Sequence, residues 1–305
     1  QIGRYSFWPA LHIKDNSLQK YQEDLILKEF SSIPLPIINL RNKTQEVIEF
    51  EELMTKVNSK YVCLHVRDSG FHGDVNKRPY RNANINNYIP AIQMLIQSGF
   101  TVIRIGDKSM QPCNIKNDKY IESYEAKSKS KLLDLLLIQN CEFFIGMQSG
   151  PLNLADLFQK PVLLVNMYSW FFGPMKPHDR GLLKNLIIPG IGEVNSLSKR
   201  FSLPYKFVDA IVDFSEKEVT FIENTPYEIL EATKEFYSDY LSGFSKQPNE
   251  TLVSNKDFYK SSSDEILNFF LSSKESNRPH ENEINRIIYR ELSSLGIIYC
   301  NSSFK

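Results

Sequence analysis

From residue 60 onward, short apolar runs alternate with helix-patterned stretches, one pair roughly every 30 residues, and this rhythm restricts the fold most. Tyr61 to Val66 reads as a buried strand, nearly continuous in apolar residues as parallel strands covered on both faces tend to be. Ile85 to Ser98 carries Ile89, Ile92, Leu95 and Ile96 at helical spacing and stops at Gly99. Phe100 to Ile105 is a second strand, and Lys119 to Glu122 a weaker third. Lys131 to Gln139 reads as a short helix, and Glu142 to Ile145 as the next strand. Gly146 to Pro151 is a tight turn opening a helix through about Phe158, and Pro161 to Val165 is another strand. Alternation of this kind predicts an α/β fold with a doubly wound parallel sheet.

The flanks are less regular. Residues 1–58 are mixed, with Pro34 and Pro36 breaking any helix and Ile37 to Leu40 forming at most a short strand. They are too few for a second domain of the same kind and read as a partial amino-terminal segment. Residues 59–241 form the sheet domain. Beyond Asn166 lies an aromatic, Pro- and Gly-rich stretch, and Leu186 to Ile188 adds a strand. Thr225 to Glu228 is a capping box with Pro226 at the first helical position, so a helix starts there and runs to about Leu241. Residues 242–305 read as a polar linker followed by helical patterns near 263–273 and 281–294.

Lysine plus arginine equals aspartate plus glutamate at 36 each. That balance gives no field for nucleic acid or an anionic membrane surface, so an anionic ligand must be caught by a local site. The four cysteines show no metal-ligand spacing, and Cys63 and Cys141 lie in apolar strands. A reduced, cytoplasmic protein is expected. No apolar run is long enough for a membrane span, which leaves only peripheral membrane association open. Gln1 is not a native start, and no signal-peptide pattern follows it.

In an open parallel sheet, ligands bind in the crevice beyond the carboxyl ends of the strands. Three polar clusters fall at such ends: His65, Arg67 and Asp68; Gly106 and Asp107; and Gln148, Ser149 and Gly150. Ser149 and Gly150 precede a helix, where free backbone N–H groups bind phosphate and glycine permits close approach. An ordinary N-cap serine is the plainer alternative. Arg67, one residue past a buried strand, can grip a diphosphate bidentately or pair with Asp68 or Asp74. His65 shares its face and reads either as a ribose or base contact or as a satisfied core histidine. Asp107 reads as a nucleoside contact or as a turn residue.

Several motifs fail. There is no Asp-x-Asp for a metal-bridged diphosphate. Gly190-Ile-Gly192 has Asn195 where a dinucleotide fingerprint needs glycine. Ser149 is one place off the nucleophile-elbow spacing, with His178 and His280 as conceivable partners of a serine hydrolase.

Val62 to Arg67 resembles the His-x-Arg strand end that opens the donor domain of fucosyltransferase-like enzymes. Ile105 to Ser109 is similar to their next strand-end acidic segment, and Leu132 to Gly150 to their helix, strand and serine-containing phosphate turn. Pro177 to Arg180 and Asn224 to Ile229 fit as well. Over roughly residues 58–240 the chain resembles the bacterial fucosyltransferase-like glycosyltransferases found with surface-polysaccharide genes. The resemblance implies a GT-B-like architecture, with facing Rossmann-type domains and the donor held mainly by the second. It implies inverting, metal-independent sugar transfer from a nucleoside-diphosphate sugar, GDP-linked donors included, to a glycan or lipid-linked acceptor, with no cofactor. Arg67 and the Ser149-Gly150 amides would hold the diphosphate with Gln148 beside them, and His65 and Asp107 would contact the nucleoside. Asp68 and His72 are the positional candidates for the acceptor's base. Arg67 is followed here by Asp68-Ser-Gly-Phe rather than a Thr-Asp-Lys-like segment, so donor base and sugar stay open. A catalytically silent nucleotide-sugar-binding module is the competing outcome.

Overall fold

The computed structural model describes residues 45–57, 60–70, 79–125, 131–168, 178–194, 219–245 and 253–254. By contact clustering the chain divides into two compact units. Every described residue belongs to the unit made of Pro36–Asn195 and Lys206–Asn255. The strand expected at Ile37 to Leu40, His72, and the helical patterns near 263–273 and 281–294 lie outside the described residues.

Six parallel strands form the main sheet: β1 (Tyr61–Leu64), β2 (Thr101–Arg104), β3 (Tyr120–Glu122), β4 (Phe144–Gly146), β5 (Val162–Met167) and β6 (Arg180–Leu183). Their spatial order is β3-β2-β1-β4-β5-β6, with a two-residue strand at Val253–Ser254 pairing antiparallel on the β6 edge. The chain builds outward from β1 to β3, then returns to the other side of β1 and builds outward again. This is the Rossmann-like order, and the reversal between β1 and β4 is its topological switch point. Side chains of β1, β2 and β5 are buried throughout, as a sheet covered on both faces demands. A separate three-stranded antiparallel sheet joins Asn185–Ile188 to Gly192–Val194 and Thr220–Ile222.

Among the described residues, five α-helices accompany the sheets: α1 (Gln45–Val57), α2 (Ile89–Gln97), α3 (Lys131–Asn140), α4 (Gly150–Leu157) and α5 (Pro226–Leu241). Pairing of core residues separates the two faces. Val62, Leu64 and Val66 pack with Ala91, Ile92 and Leu95 of α2 and with Ile229 and Phe236 of α5. Tyr61 and Cys63 point the other way, where each side chain donates to the Leu137 carbonyl of α3. On the first face Phe143 meets Phe100, Phe236 and Tyr240 at centroid distances of 5.4, 5.3 and 5.1 Å. Burying each such ring is worth about 1.5–3 kcal/mol, and edge-on contact adds to it.

Helix ends follow the sequence. Pro90 starts α2 within its first turn, and Gly99 at φ +98 turns the chain out of it in a conformation other residues avoid. The expected capping box opens α5: Thr225 Oγ1 accepts from Glu228 N at 3.2 Å, and Thr225 N donates to Glu228 Oε2 at 2.7 Å. Two elements were not expected. Helix α1 packs against α3, within the segment read as mixed. Strand β6 begins with an arginine at the end of the aromatic, Pro- and Gly-rich stretch. Arg180 is buried because Asp239 of α5 meets its Nε at 2.9 Å and the Phe244 ring lies 5.4 Å beneath its guanidinium.

An asparagine clasp fixes the far ends of β5 and β6. Asn166, at φ +56, interrupts the register of β5 against β6. Its backbone N–H donates to Asn224 Oδ1 at 2.8 Å, and Asn224 N donates back to Asn166 Oδ1 at 2.7 Å. Asn224 Nδ2 reaches the Leu183 carbonyl at 2.9 Å, so β5, β6 and the start of α5 are locked together.

Candidate functional site

The switch point brings two of the three expected clusters side by side. β1 and β4 are hydrogen-bonded neighbours, with Leu64 opposite Ile145, and His65 N donates to the Ile145 carbonyl at 2.9 Å. Arg67 therefore follows the end of one strand while Gln148, Ser149 and Gly150 follow the end of the next. The third cluster follows β2, which flanks β1 on its other side.

Arg67 is 8% exposed, and its Nη1 donates to Asn82 Oδ1 at 2.6 Å. Its carbonyl accepts from Ala83 N at 2.9 Å. The guanidinium is thus held by the turn at residues 79–83 beside the β4 end. Gln148 is buried, and its Oε1 accepts from Tyr168 N at 2.8 Å, which ties the end of β4 to that of β5. Ser149 has extended geometry at the N-cap of α4 but makes no side-chain capping bond; its hydroxyl donates instead to the Met147 carbonyl at 3.2 Å. Gly150 is exposed, and nothing lies within 4 Å of where a Cβ would sit, so its open approach comes from position rather than crowding.

His65 is buried, and its Nδ1 lies 3.1 Å from the Ile105 carbonyl. A carbonyl only accepts, so Nδ1 carries the proton and Nε2 keeps its lone pair. Burial pushes the imidazole pKa down to about 4, with the nearby Arg104 and Arg67 charges adding to the fall and the Ile105 bond and Asp68 opposing it. The ring is neutral at pH 7, and its folded pKa lies below the unfolded value near 6.5. Stability from the neutral ring is therefore present above that value and is lost as pH falls from about 6.5 toward 4. Urea unfolding at pH 7 and pH 4.5 should show His65→Gln losing on the order of 2 kcal/mol less than wild type across that interval. Equal losses in the two proteins would contradict this.

Asp68 organises the loop. Its Oδ1 accepts from Gly70 N at 2.9 Å, its Oδ2 accepts from Gln111 N at 2.6 Å, and Arg104 Nη2 lies 3.8 Å away. The β1 and β2 loops are packed so closely that a Cβ on Gly70 would overlap the Ser109 carbonyl. A carboxylate so engaged holds the two loops together. Asp107 closes a turn, accepting from Ser109 N at 2.8 Å and from the Ser109 hydroxyl.

Three further residues belong to the site. Arg81, at the end of the 3-10 turn Pro79–Arg81, donates from Nη2 to the Gln148 carbonyl at 3.4 Å. Asn82 holds Arg67. Lys184, one residue past β6, donates to the carbonyls of Tyr80 at 3.0 Å and Asn82 at 2.6 Å. Burial pushes the Lys184 pKa down to about 8, with Glu223 opposing it. Tyr80 stacks on Phe221 and meets Tyr168 edge-on, both at 5.2 Å. The strand-end reasoning that found Arg67 would have found Lys184 had β6 been recognised. Arg81 and Asn82 lay in a loop with no pattern to mark them.

No protein-family model, curated protein or solved structure matches the chain. The fucosyltransferase-like resemblance rests on its motif residues alone. Among the described residues, no group of three or more His, Cys, Asp or Glu side chains could hold a metal ion, and no helix is long and apolar enough to cross a membrane.

The ends of β1 and β4 thus carry the guanidiniums of Arg67 and Arg81 and the exposed Gly150 at the N-terminus of α4, with Tyr80 and Tyr168 close by. Chemically, that combination suits a phosphate-bearing ligand with a flat group attached.

Proposed function

We propose that the chain binds a nucleoside-diphosphate sugar in the crevice beyond β1 and β4 and transfers its sugar to a glycan acceptor in surface-polysaccharide synthesis. The observation that carries this reading is the adjacency of Arg67 and the Gln148-Ser149-Gly150 turn at the switch point. A diphosphate leaving group gains negative charge as the glycosidic bond breaks. A fixed guanidinium and backbone amides aimed at that charge stabilise it without reorganising, which favours the departure step. In the GT-B-like reading, the described sheet is the donor-binding domain of the enzyme. His65 Nε2 would accept a hydrogen bond from a donor hydroxyl. Asp68 and His72 are the candidates for the acceptor's base.

Nothing observed favours a serine hydrolase: the Ser149 hydroxyl is turned to a carbonyl, and the His178 ring packs at 4.8 Å from Phe244. The test is a melting-temperature panel on the full chain with GDP, UDP, dTDP and CMP and their sugars. One nucleotide series should raise the melting temperature, and Arg67→Ala should abolish the rise. If no nucleotide stabilises the protein, the proposal fails. A sugar-transfer assay with the stabilising donor then separates an enzyme from a silent binding module.

A further inference from the structure

Arg81 carries a charge for which no described carboxylate provides a partner. Its one hydrogen bond, from Nη2 to the Gln148 carbonyl, is long at 3.4 Å. Its guanidinium lies over the Tyr168 ring at 5.6 Å, and its Nε is buried without a hydrogen-bond partner. An orphaned donor of this kind costs free energy, and a neutral side chain could pack on Tyr168 without that cost. The long hydrogen bond and the ring contact offset only part of that cost.

The turn that carries Arg81 is firmly held. Arg67 grips Asn82, the Arg67 carbonyl takes Ala83 N, and Lys184 holds the carbonyls of Tyr80 and Asn82. Side chains from the ends of β1 and β6 thus fix one short segment, and the segment presents Arg81 to the end of β4. A guanidinium offers its N–H groups in a rigid fork that matches phosphate oxygens. Held beside the Gln148 carbonyl, it stands where the Ser149-Gly150 turn begins.

We propose that Arg81 is a second ligand-binding cation beyond β1 and β4, whose terminal N–H groups bind phosphate oxygens of the ligand that Arg67 holds. The inference rests on reading the crevice as a nucleoside-diphosphate site. The ligand class is an anion of the nucleoside-diphosphate kind, which offers each guanidinium a phosphate group to bind.

The experiment is calorimetric titration of the full chain with the nucleoside diphosphate that stabilises wild type most, and separately with pyrophosphate. Wild type, Arg67→Ala, Arg81→Gln and Arg81→Lys are compared, each with its unliganded melting temperature. Arg81→Gln should bind both probes about tenfold more weakly or worse, since a charge-assisted bond is lost. Arg81→Lys, which keeps the charge and loses the fork, should fall between. Wild-type affinity in Arg81→Gln together with loss in Arg67→Ala would overturn the role of Arg81 and leave the nucleotide reading standing. Failure of wild type to bind either probe would overturn both. Should Arg81→Gln not fold, Arg81→Lys decides: weakening by about threefold or more upholds the proposal, and unchanged binding overturns it.

Discussion

Arg67→Ala is expected to weaken nucleoside-diphosphate binding about a hundredfold, since a bidentate pair loses two charge-assisted hydrogen bonds. Sugar transfer should fall further, by about 10²–10³ in turnover, because charge on the leaving diphosphate peaks in the transition state. Part of the loss would act through the scaffold. Arg67 also holds Asn82 at 2.6 Å, so its removal loosens the turn that carries Arg81. Asn82→Ala separates the two effects. It should leave the Arg67 charge in place and cost about tenfold in affinity, within the range of one lost positioning bond. A binding constant for Arg67→Ala within threefold of wild type would show that the diphosphate sits elsewhere.

Arg104→Met should produce the largest loss of stability, about 3–5 kcal/mol. Arg104 is fully buried; its Nη1 donates to Glu122 Oε1 at 3.1 Å and to the Gln111 carbonyl at 2.7 Å, and its Nη2 lies 3.8 Å from Asp68. Methionine matches the stem but leaves two buried carboxylates facing one another without a cation. Urea unfolding at pH 7 reads the loss directly. Adding Glu122→Gln to Arg104→Met should recover part of it, because one of the stranded charges is gone; no recovery would mean the cluster is not governed by charge. The effect should reach the crevice, since Asp68 follows Arg67 and holds the β1 loop to Gln111 at the β2 loop.

The sheet was legible because each parallel strand carries its own signal. Val62, Leu64, Val102, Ile103, Leu163 and Val165 are apolar on both faces, and Gly99 and Thr225 punctuate the helices where they stand. Strand β6 was not legible, because Arg180 is apolar in neither charge nor shape. Its burial depends on Asp239, an acceptor far along the chain that no local pattern reveals. Helix α1 follows Pro34 and Pro36 in a segment whose overall composition is mixed rather than helical in pattern. Of the site, Arg67 and Ser149-Gly150 could be found because they stand at strand ends, where topology alone gives them meaning. Arg81 and Asn82 could not. Their significance comes from a turn folding back onto Gln148 and Arg67, and a polar loop gives no periodic sign of such a return. Asp68 and Asp107 were legible by the same strand-end reasoning. Their strand-end positions suggested chemistry, and their oxygens prove to be engaged by neighbouring backbone N–H groups.

The most direct measurement is backbone hydrogen exchange of the full chain with and without a saturating nucleoside diphosphate. Binding in the switch-point crevice predicts slowed exchange at residues 65–70, 79–83 and 148–152, with little change in the antiparallel sheet at 185–194. Protection confined to that small sheet, or no protection from any nucleotide, would contradict the account.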